Sequence, residues 1–257
     1  MRAGDIAAAI EQFAPLSIQE SWDNSGLCIG SPEKEVHGVL VGFDCTPDLI
    51  DEALQKGCDM VVTHHPLIFH GIKRIQDGDP VSDAIVKAIR GGVAVYAAHT
   101  TADKVLTGVS GAMARRLGLR DIAILEDEGG FGLGAVGTLE RPLDGEEAVA
   151  LVKERFGLKL LRCSAPVDGI SRVALCGGSG ASEIGAARSA GAQLYISADI
   201  SYHHFFTPEG FMIMDIGHFE SEVEIVTILS EVIKEKFPTF AVRISDNLGR
   251  SNPVRYY

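Results

Sequence analysis

The chain has 257 residues, 46% of them apolar, enough for two modest α/β lobes with sizeable cores. No run of about 18 uncharged apolar residues occurs, so the sequence gives no support for a membrane span. A formal net charge of −12 disfavours docking on nucleic acid or anionic lipid, and no Lys/Arg-rich arm offsets it.

Apolar residues Ile6, Ala9, Ile10 and Phe13 recur at helical spacing, which makes the N-terminal segment a helix of the folded domain and not the apolar core of a signal peptide. Residues 38–42 (Gly-Val-Leu-Val-Gly) read as a strand. Thr46 and Pro47 then open a helix with Leu49, Ile50, Ala53 and Leu54 on its apolar face, Gly57 stops it, and a second strand runs into Thr63. Asp79 and Pro80 begin another helix, with Val81, Ala84, Ile85, Ala88 and Ile89 on one face and Gly91 at its end, ahead of a buried strand at 93–98. Leu106, Val109, Met113 and Leu117 mark the next helix. Asp144 and Glu147 form a capping box ahead of a Val149, Val152, Phe156 stripe, in a middle segment that reads as framework. The strand–helix–strand pattern then returns at residues 172–199. Val39, Gly57 and Thr63 correspond to Val173, Gly191 and Ser197, all at an offset of 134. A strand at 211–216 follows, and Val226, Leu229 and Ile233 mark the last helix.

These observations predict an α/β fold (α+β by some definitions). It comprises two intertwined, duplicated βαβ-containing lobes over residues 1–125 and 126–257, with no separate inserted domain. Successive strand–helix–strand units imply a mainly parallel sheet with right-handed crossovers, whose ligands gather at the carboxyl ends of the strands. A site between the lobes at those ends is therefore expected.

Seven of the eight histidines follow predicted strands or their immediate extensions; His37 is the exception. His64 and His65 follow the strand ending at Thr63, and Pro66 ends that strand, so the two adjacent rings need not point to opposite faces. His99 and Asp103 follow the strand at 93–98, and His218 and Glu222 follow the strand at 211–216, each a His-x-x-x-carboxylate pair. Asp103 near a helix start also suits plain capping, but the repetition favours a shared function. Imidazole plus carboxylate is the ligand set of Zn, Mn, Fe or Ni, and two such ions about 3.5–4 Å apart form a common hydrolytic centre. The five cysteines, Cys28, Cys45, Cys58, Cys163 and Cys176, include no Cys-x-x-Cys and read as small buried residues in a reducing compartment, by default the cytoplasm. Gly177-Gly178-Ser179-Gly180 lacks the Lys-Ser/Thr of a P-loop, and close packing is the better reading than anion binding.

Several stretches together carry a family resemblance: Ser21-Trp22-Asp23-Asn24-Ser25-Gly26-Leu27, Thr63-His64-His65-Pro66-Leu67, His99-Thr100-Thr101-Ala102-Asp103, Cys176-Gly177-Gly178-Ser179-Gly180, Asp215-Ile216-Gly217-His218-Phe219-Glu220-Ser221-Glu222 and Asn252-Pro253-Val254-Arg255-Tyr256. The chain resembles the Nif-three-like family, the GTP cyclohydrolase 1 type 2 homologues, in the short form without an extra middle domain. The resemblance implies two divalent metal ions per chain in a toroidal homohexamer. It carries the ligand pattern onto His64, His65, Asp103, His218 and Glu222, with Glu222 as a bridge and with His99 and Asp199 as near neighbours. Ser197-Ala198-Asp199 and Thr101-Ala102 depart from the commoner family residues without removing a ligand, so they bear on pocket shape and substrate.

The reading that follows is a metal-dependent hydrolase acting on a nucleotide or phosphoester, with His99 or His203 as catalytic proton shuttle. The rival is a non-catalytic, metal-bound hexameric scaffold, regulator or metallochaperone. The expected partners are further copies of the chain and a small-molecule substrate, with no membrane.

Overall fold

A computed structural model describes residues 1–256. In chain order its elements are α1 (Ala3–Phe13), β1 (Gly26–Ile29), β2 (Gly38–Gly42), α2 (Pro47–Gln55), β3 (Met60–Thr63), α3 (Pro80–Gly91), β4 (Ala94–Ala97) and the short α4 (Thr100–Asp103). There follow α5 (Val109–Leu117), β5 (Arg120–Ile124), β6 (Ala135–Leu143), α6 (Gly145–Phe156), β7 (Arg162–Cys163), β8 (Ile170–Ser179), α7 (Ile184–Ser189), β9 (Leu194–Ala198), β10 (Met212–Asp215) and the short α8 (His218–Glu222). The last three are α9 (Ile225–Lys236), β11 (Ala241–Ile244) and α10 (Leu248–Ser251). No helix among the described residues is long and apolar enough to cross a membrane.

The chain is a mixed α/β protein of two compact units. The first comprises Met1–Ala102 and Ile225–Tyr257, the second Asp103–Glu224. The sequence reading set one boundary between residues 125 and 126; the structure instead returns the last helices and β11 to the first unit.

In the first unit the strand order is β1-β4-β3-β2-β11. β4, β3, β2 and β11 are parallel, and β1 runs antiparallel at the edge. Strands β2, β3 and β4 are buried throughout, which suits a parallel sheet covered on both faces and explains their unbroken apolar runs. Leu40, Val61 and Val95 pack with Ile50, Ala53, Ala84, Ile85 and Ala88 of α2 and α3. Helices α1 and α9 pack together and bury Ile6, Ile10, Leu229 and Ile233. The helix starts follow the local chemistry. The Thr46 hydroxyl accepts from the Leu49 amide and the Asp79 carboxylate from the Ser82 amide, with Pro47 and Pro80 in the first turns.

A buried carboxylate fastens the segment after β11. Glu52 of α2 accepts from the Ser245 hydroxyl (2.6 Å), the Asp246 amide (2.8 Å) and the Asn247 side-chain amide (3.1 Å), and pairs with Lys56 at 2.9 Å. Burial pushes its carboxyl group up, but these donors outweigh burial and bring it from an ordinary 4.5 down to about 2.

In the second unit the order is β5-β6-β8-β9-β10-β7. Only β8, β9 and β10 are parallel; β5, β6 and β7 join antiparallel. The expectation of a mainly parallel sheet therefore holds for the first unit, while the second is mixed because the middle segment read as framework builds a long antiparallel β6–β8 pair. Val136, Ala174, Cys176, Tyr195, Phe211 and Ile213 form its buried cluster.

The internal repeat is present as strand register. Val39 pairs with Met60 and Leu40 with Val61, and their counterparts Val173 and Ala174 pair with Leu194 and Tyr195. Gly57 and Gly191, the expected helix stops, sit at φ +66° and +75°, where a side chain would be strained.

Candidate metal centre

In the first unit, the parallel register pairs Thr63 of β3 with Ala97 of β4. The residues just past these strand ends are therefore neighbours, and they are His64, His65 and His99. One ring nitrogen from each lies within 4.8 Å of the other two. Ring centroids are 4.9 Å apart for His64 and His65, 5.4 Å for His64 and His99, and 5.5 Å for His65 and His99.

Each ring is held from outside through Nδ1. His64 Nδ1 lies 2.8 Å from the Ala98 carbonyl, His65 Nδ1 2.7 Å from Asp44, and His99 Nδ1 2.8 Å from Asp23. A carbonyl or carboxylate only accepts, so Nδ1 is the donor in each bond, and in the neutral ring Nε2 carries the lone pair. Asp23 also accepts from the Thr100 amide and from the Thr100 and Ser25 hydroxyls. Burial pushes the Asp23 carboxyl up, but the donors led by His99 hold it well below the usual carboxylate range. His99 thus faces a carboxylate whose charged form these donors favour. Trp22, 54% exposed, and the exposed Phe69 stand beside His99 with centroids at 6.0 and 5.8 Å.

In the second unit, His218 opens α8 and the buried Glu222 closes it one turn later. His218 Nε2 lies 2.9 Å from Glu222 Oε2. His218 Nδ1 is held by Asp199 at 2.7 Å. The Asp199 carboxyl is raised by burial and lowered further by hydrogen bonds from Ser179 and His218, so the net shift is downward. Asp103 ends α4, and its carboxylate and that of Glu222 have oxygens within 4.8 Å of each other. Two carboxylates at this distance, one of them buried, repel unless a proton or a cation lies between them. The spacing places each His at a strand end and each carboxylate at the entry to the next helix. Instead α4 and α8 are separate short helices, broken before α5 and α9, and each carboxylate is the terminal residue of its short helix.

The donor sets fit divalent ions of the Zn, Mn, Fe or Ni type: imidazoles oriented through Nδ1, and carboxylates close enough to share charge. His203 stands apart from this chemistry. It lies in an exposed turn with its ring 5.3 Å from Tyr202 and stacked over Phe206, while its neighbour His204 bonds Ser201.

Gly177 and Gly178 belong to the end of β8 and pack beneath α8. The Gly178 amide donates to Ser221 and the Gly180 amide to Ser197, so neither amide is directed at an anion. A Cβ on Gly178, at φ +61°, would lie 2.2 Å from Glu222 Oε1. Sequence reasoning missed the outer carboxylates. Asp23 was visible only as part of a quoted motif, and Asp44 not at all, although it follows the first repeated strand. Asp199 was noted as a neighbour without its partner.

The family model described as "Duf34/NIF3 (NGG1p interacting factor 3)" matches residues 1–249. A Clostridium perfringens protein called "GTP cyclohydrolase 1 type 2 homolog" is 33% identical over 242 residues, 92% of each chain. Among solved structures, the Staphylococcus aureus hypothetical protein SA1388 superposes with a TM-score of 0.89 at 25% identity, covering 100% of this chain and 99% of that one. A Bacillus cereus protein related to NIF3 superposes with a TM-score of 0.90 at 22% identity over the same shares, a likeness of fold alone.

Proposed function

Because the chain belongs to the DUF34/NIF3 family, we propose that it binds two divalent metal ions and works as a metal-dependent hydrolase on a nucleotide or phosphoester in the cytoplasm. The ligand set is His64, His65, Asp103, His218 and Glu222, with Glu222 as the bridge. The observation that carries the reading is the outward anchoring of His64, His65 and His218 through Nδ1, which leaves Nε2 as the coordinating nitrogen of each. When bound, the ions supply Lewis-acid polarisation and a water acidified toward neutral pH.

The chain's own groups supply the rest. Asp103 and Glu222 bring the negative charge that lets two cations approach. Asp44 and Asp199 fix ring orientation and raise imidazole basicity. Trp22 and Phe69, centroids 5.8 Å apart and inclined by 50°, offer an exposed aromatic wall next to His99, and a nucleobase stacking on one of its rings would gain about 1–3 kcal/mol. That wall favours a nucleotide over a small phosphoester.

Elemental analysis of unsupplemented, desalted protein tests the metal claim, with about two ions per chain expected. Nucleotides and phosphoesters are then offered to protein restored with each metal. Trp22 is the only tryptophan, so quenching of its fluorescence reads nucleotide binding directly. No turnover of any substrate, with metal bound, makes the scaffold reading the better one. The same reading includes a homohexamer, and a monomer by light scattering at micromolar concentration would refute that part.

A further inference from the structure

We propose that Lys73 and Arg74 are specificity-determining residues that bind the phosphates of a nucleotide whose base stacks on Trp22 or Phe69. This deepens the nucleotide reading above and rests on it, but on none of the metal ligands.

The two cations belong to a stretch rooted at the aromatic wall. Residues 69–80, between β3 and α3, are all exposed. The root of this stretch is pinned to the turn that carries Trp22, because the Asn24 side-chain amide donates to the Ile68 carbonyl at 2.6 Å. Phe69 follows at once, with the His70 ring 4.6 Å from its own. At about 3.3–3.6 Å per residue, the chain from Phe69 to Lys73 spans at most roughly 14 Å, so both cations stay close to a molecule seated on the wall.

Charge singles out the same stretch. In a chain of net charge −12, basic residues adjoin at two places, Lys73-Arg74 and Arg115-Arg116. The second pair is engaged: Arg115 donates to the Leu106 and Thr107 carbonyls, and Arg116 donates to the Arg155 carbonyl and pairs with Glu224. Among the described residues, Lys73 and Arg74 have no such partner, and residues 66–76 contain no Asp or Glu. An acidic protein that admits a polyanion needs a local positive region. The planar guanidinium of Arg74 suits two phosphate oxygens at once, and the Lys73 ammonium adds a point charge. The wall stands against His99, with centroids at 6.0 Å for Trp22 and 5.8 Å for Phe69, whereas the cations lie farther along the exposed loop. A nucleotide lying along both therefore turns its base toward the histidines and its phosphates toward the loop, which serves as a handle.

The test titrates the full, metal-restored chain with guanosine, GMP and GTP, Mg²⁺ being in excess over nucleotide, and reads Trp22 quenching alongside calorimetry. The wild type is expected to bind the triphosphate tightest and the nucleoside weakest. Lys73→Ala with Arg74→Ala is expected to weaken triphosphate binding roughly tenfold or more, the scale of a lost charged hydrogen bond, and to leave guanosine binding unchanged. The variant should also flatten the salt dependence of triphosphate binding. Lys73→Arg with Arg74→Lys keeps both charges and is expected to restore most of the affinity. Unchanged triphosphate affinity in the alanine variant, or an equal loss for guanosine, would overturn the inference. A wild type that binds all three ligands equally would overturn it while leaving the nucleotide reading intact, and one that binds none of them would remove both.

Discussion

In the first unit, residues 44, 64 and 65 are Asp, His and His. In the second, the residues 134 positions on, 178, 198 and 199, are Gly, Ala and Asp. The flanking strands keep the same register as far as Val41–Val62 and Leu175–Ile196, but β8 then shifts register before Ser179 pairs with Ala198, so the repeat diverges in backbone as well as in side chains at the strand ends. Asp44 orients His65 from the end of the first repeated strand. Its counterpart Gly178 leaves that space to the carboxylate of Glu222. His65 offers Nε2, whereas its counterpart Asp199 turns from ligand position to outer partner and orients His218. A duplicated scaffold thus carries a histidine-rich cluster in one unit and a carboxylate-rich cluster in the other through a handful of exchanges near strand ends.

The contrast breaks most visibly at Glu222. Replacing it by Gln removes the charge that the carboxylate-rich set depends on. The expected outcome is weaker binding of both ions, because a bridging carboxylate faces each of them, as read by elemental analysis after desalting. Loss of one ion with the other at full occupancy would show that Glu222 serves a single ion and is not a bridge.

Acid titration sharpens the difference between the units, because Glu52 belongs to the first alone. Its folded-state value is depressed to about 2, so its contribution is full above the ordinary carboxylate value of 4.5 and fades as pH falls from there through about 2. The stabilisation at stake is up to about 3 kcal/mol. Glu52→Gln is expected to remove this carboxylate's share of the stability loss over that window, measured by urea unfolding between pH 5 and pH 2, while Asp23 and Asp199 keep theirs. An unchanged pH slope would show that the Ser245–Asn247 donors hold the neutral group equally well.

The outer carboxylates should matter equally despite their different positions in the repeat. Asp44→Asn and Asp199→Asn are each expected to weaken metal affinity roughly 10–100-fold without unfolding the protein. Asn tolerates the left-handed backbone of Asp199 at φ +53°. A large effect at one site and none at the other would mean that only one set is occupied. Smallest is Gly178→Ala, expected to cost about 1–2 kcal/mol from backbone strain alone and to weaken metal binding by displacing Glu222. The equivalent change in the first unit is Asp44→Ala, which has no such clash and acts through His65 alone.

Much of the site was legible because its histidines and carboxylates cluster after apolar runs, and a parallel sheet brings such strand ends together. The repeat, the βαβ units and the stop glycines Gly57 and Gly191 were readable from spacing. The outer partners were not, because a hydrogen bond between Asp23 and His99 spans 76 positions and leaves no periodic trace. The breaks before α5 and α9 were also hidden, since Val109–Leu117 and Ile225–Lys236 keep helical spacing across them. The antiparallel pairing of β6 and β8 was missed because the middle segment carries no chemistry to draw the eye.

The placement of β11 has a consequence during synthesis on the ribosome. β2 lies between β3 and β11 and is buried along its whole length, yet its partner at Ala241–Ile244 is made after the entire second unit. At about 5–20 residues per second, the apolar edge Gly38–Gly42 waits roughly ten to forty seconds for its last neighbour. During that interval it is an unpaired strand edge of the kind that templates aggregation, and the Glu52 clasp on Ser245–Asn247 can close only when it ends. A nascent chain stalled before residue 241 is therefore expected to be more protease-sensitive at α2 and more prone to associate than one released at full length.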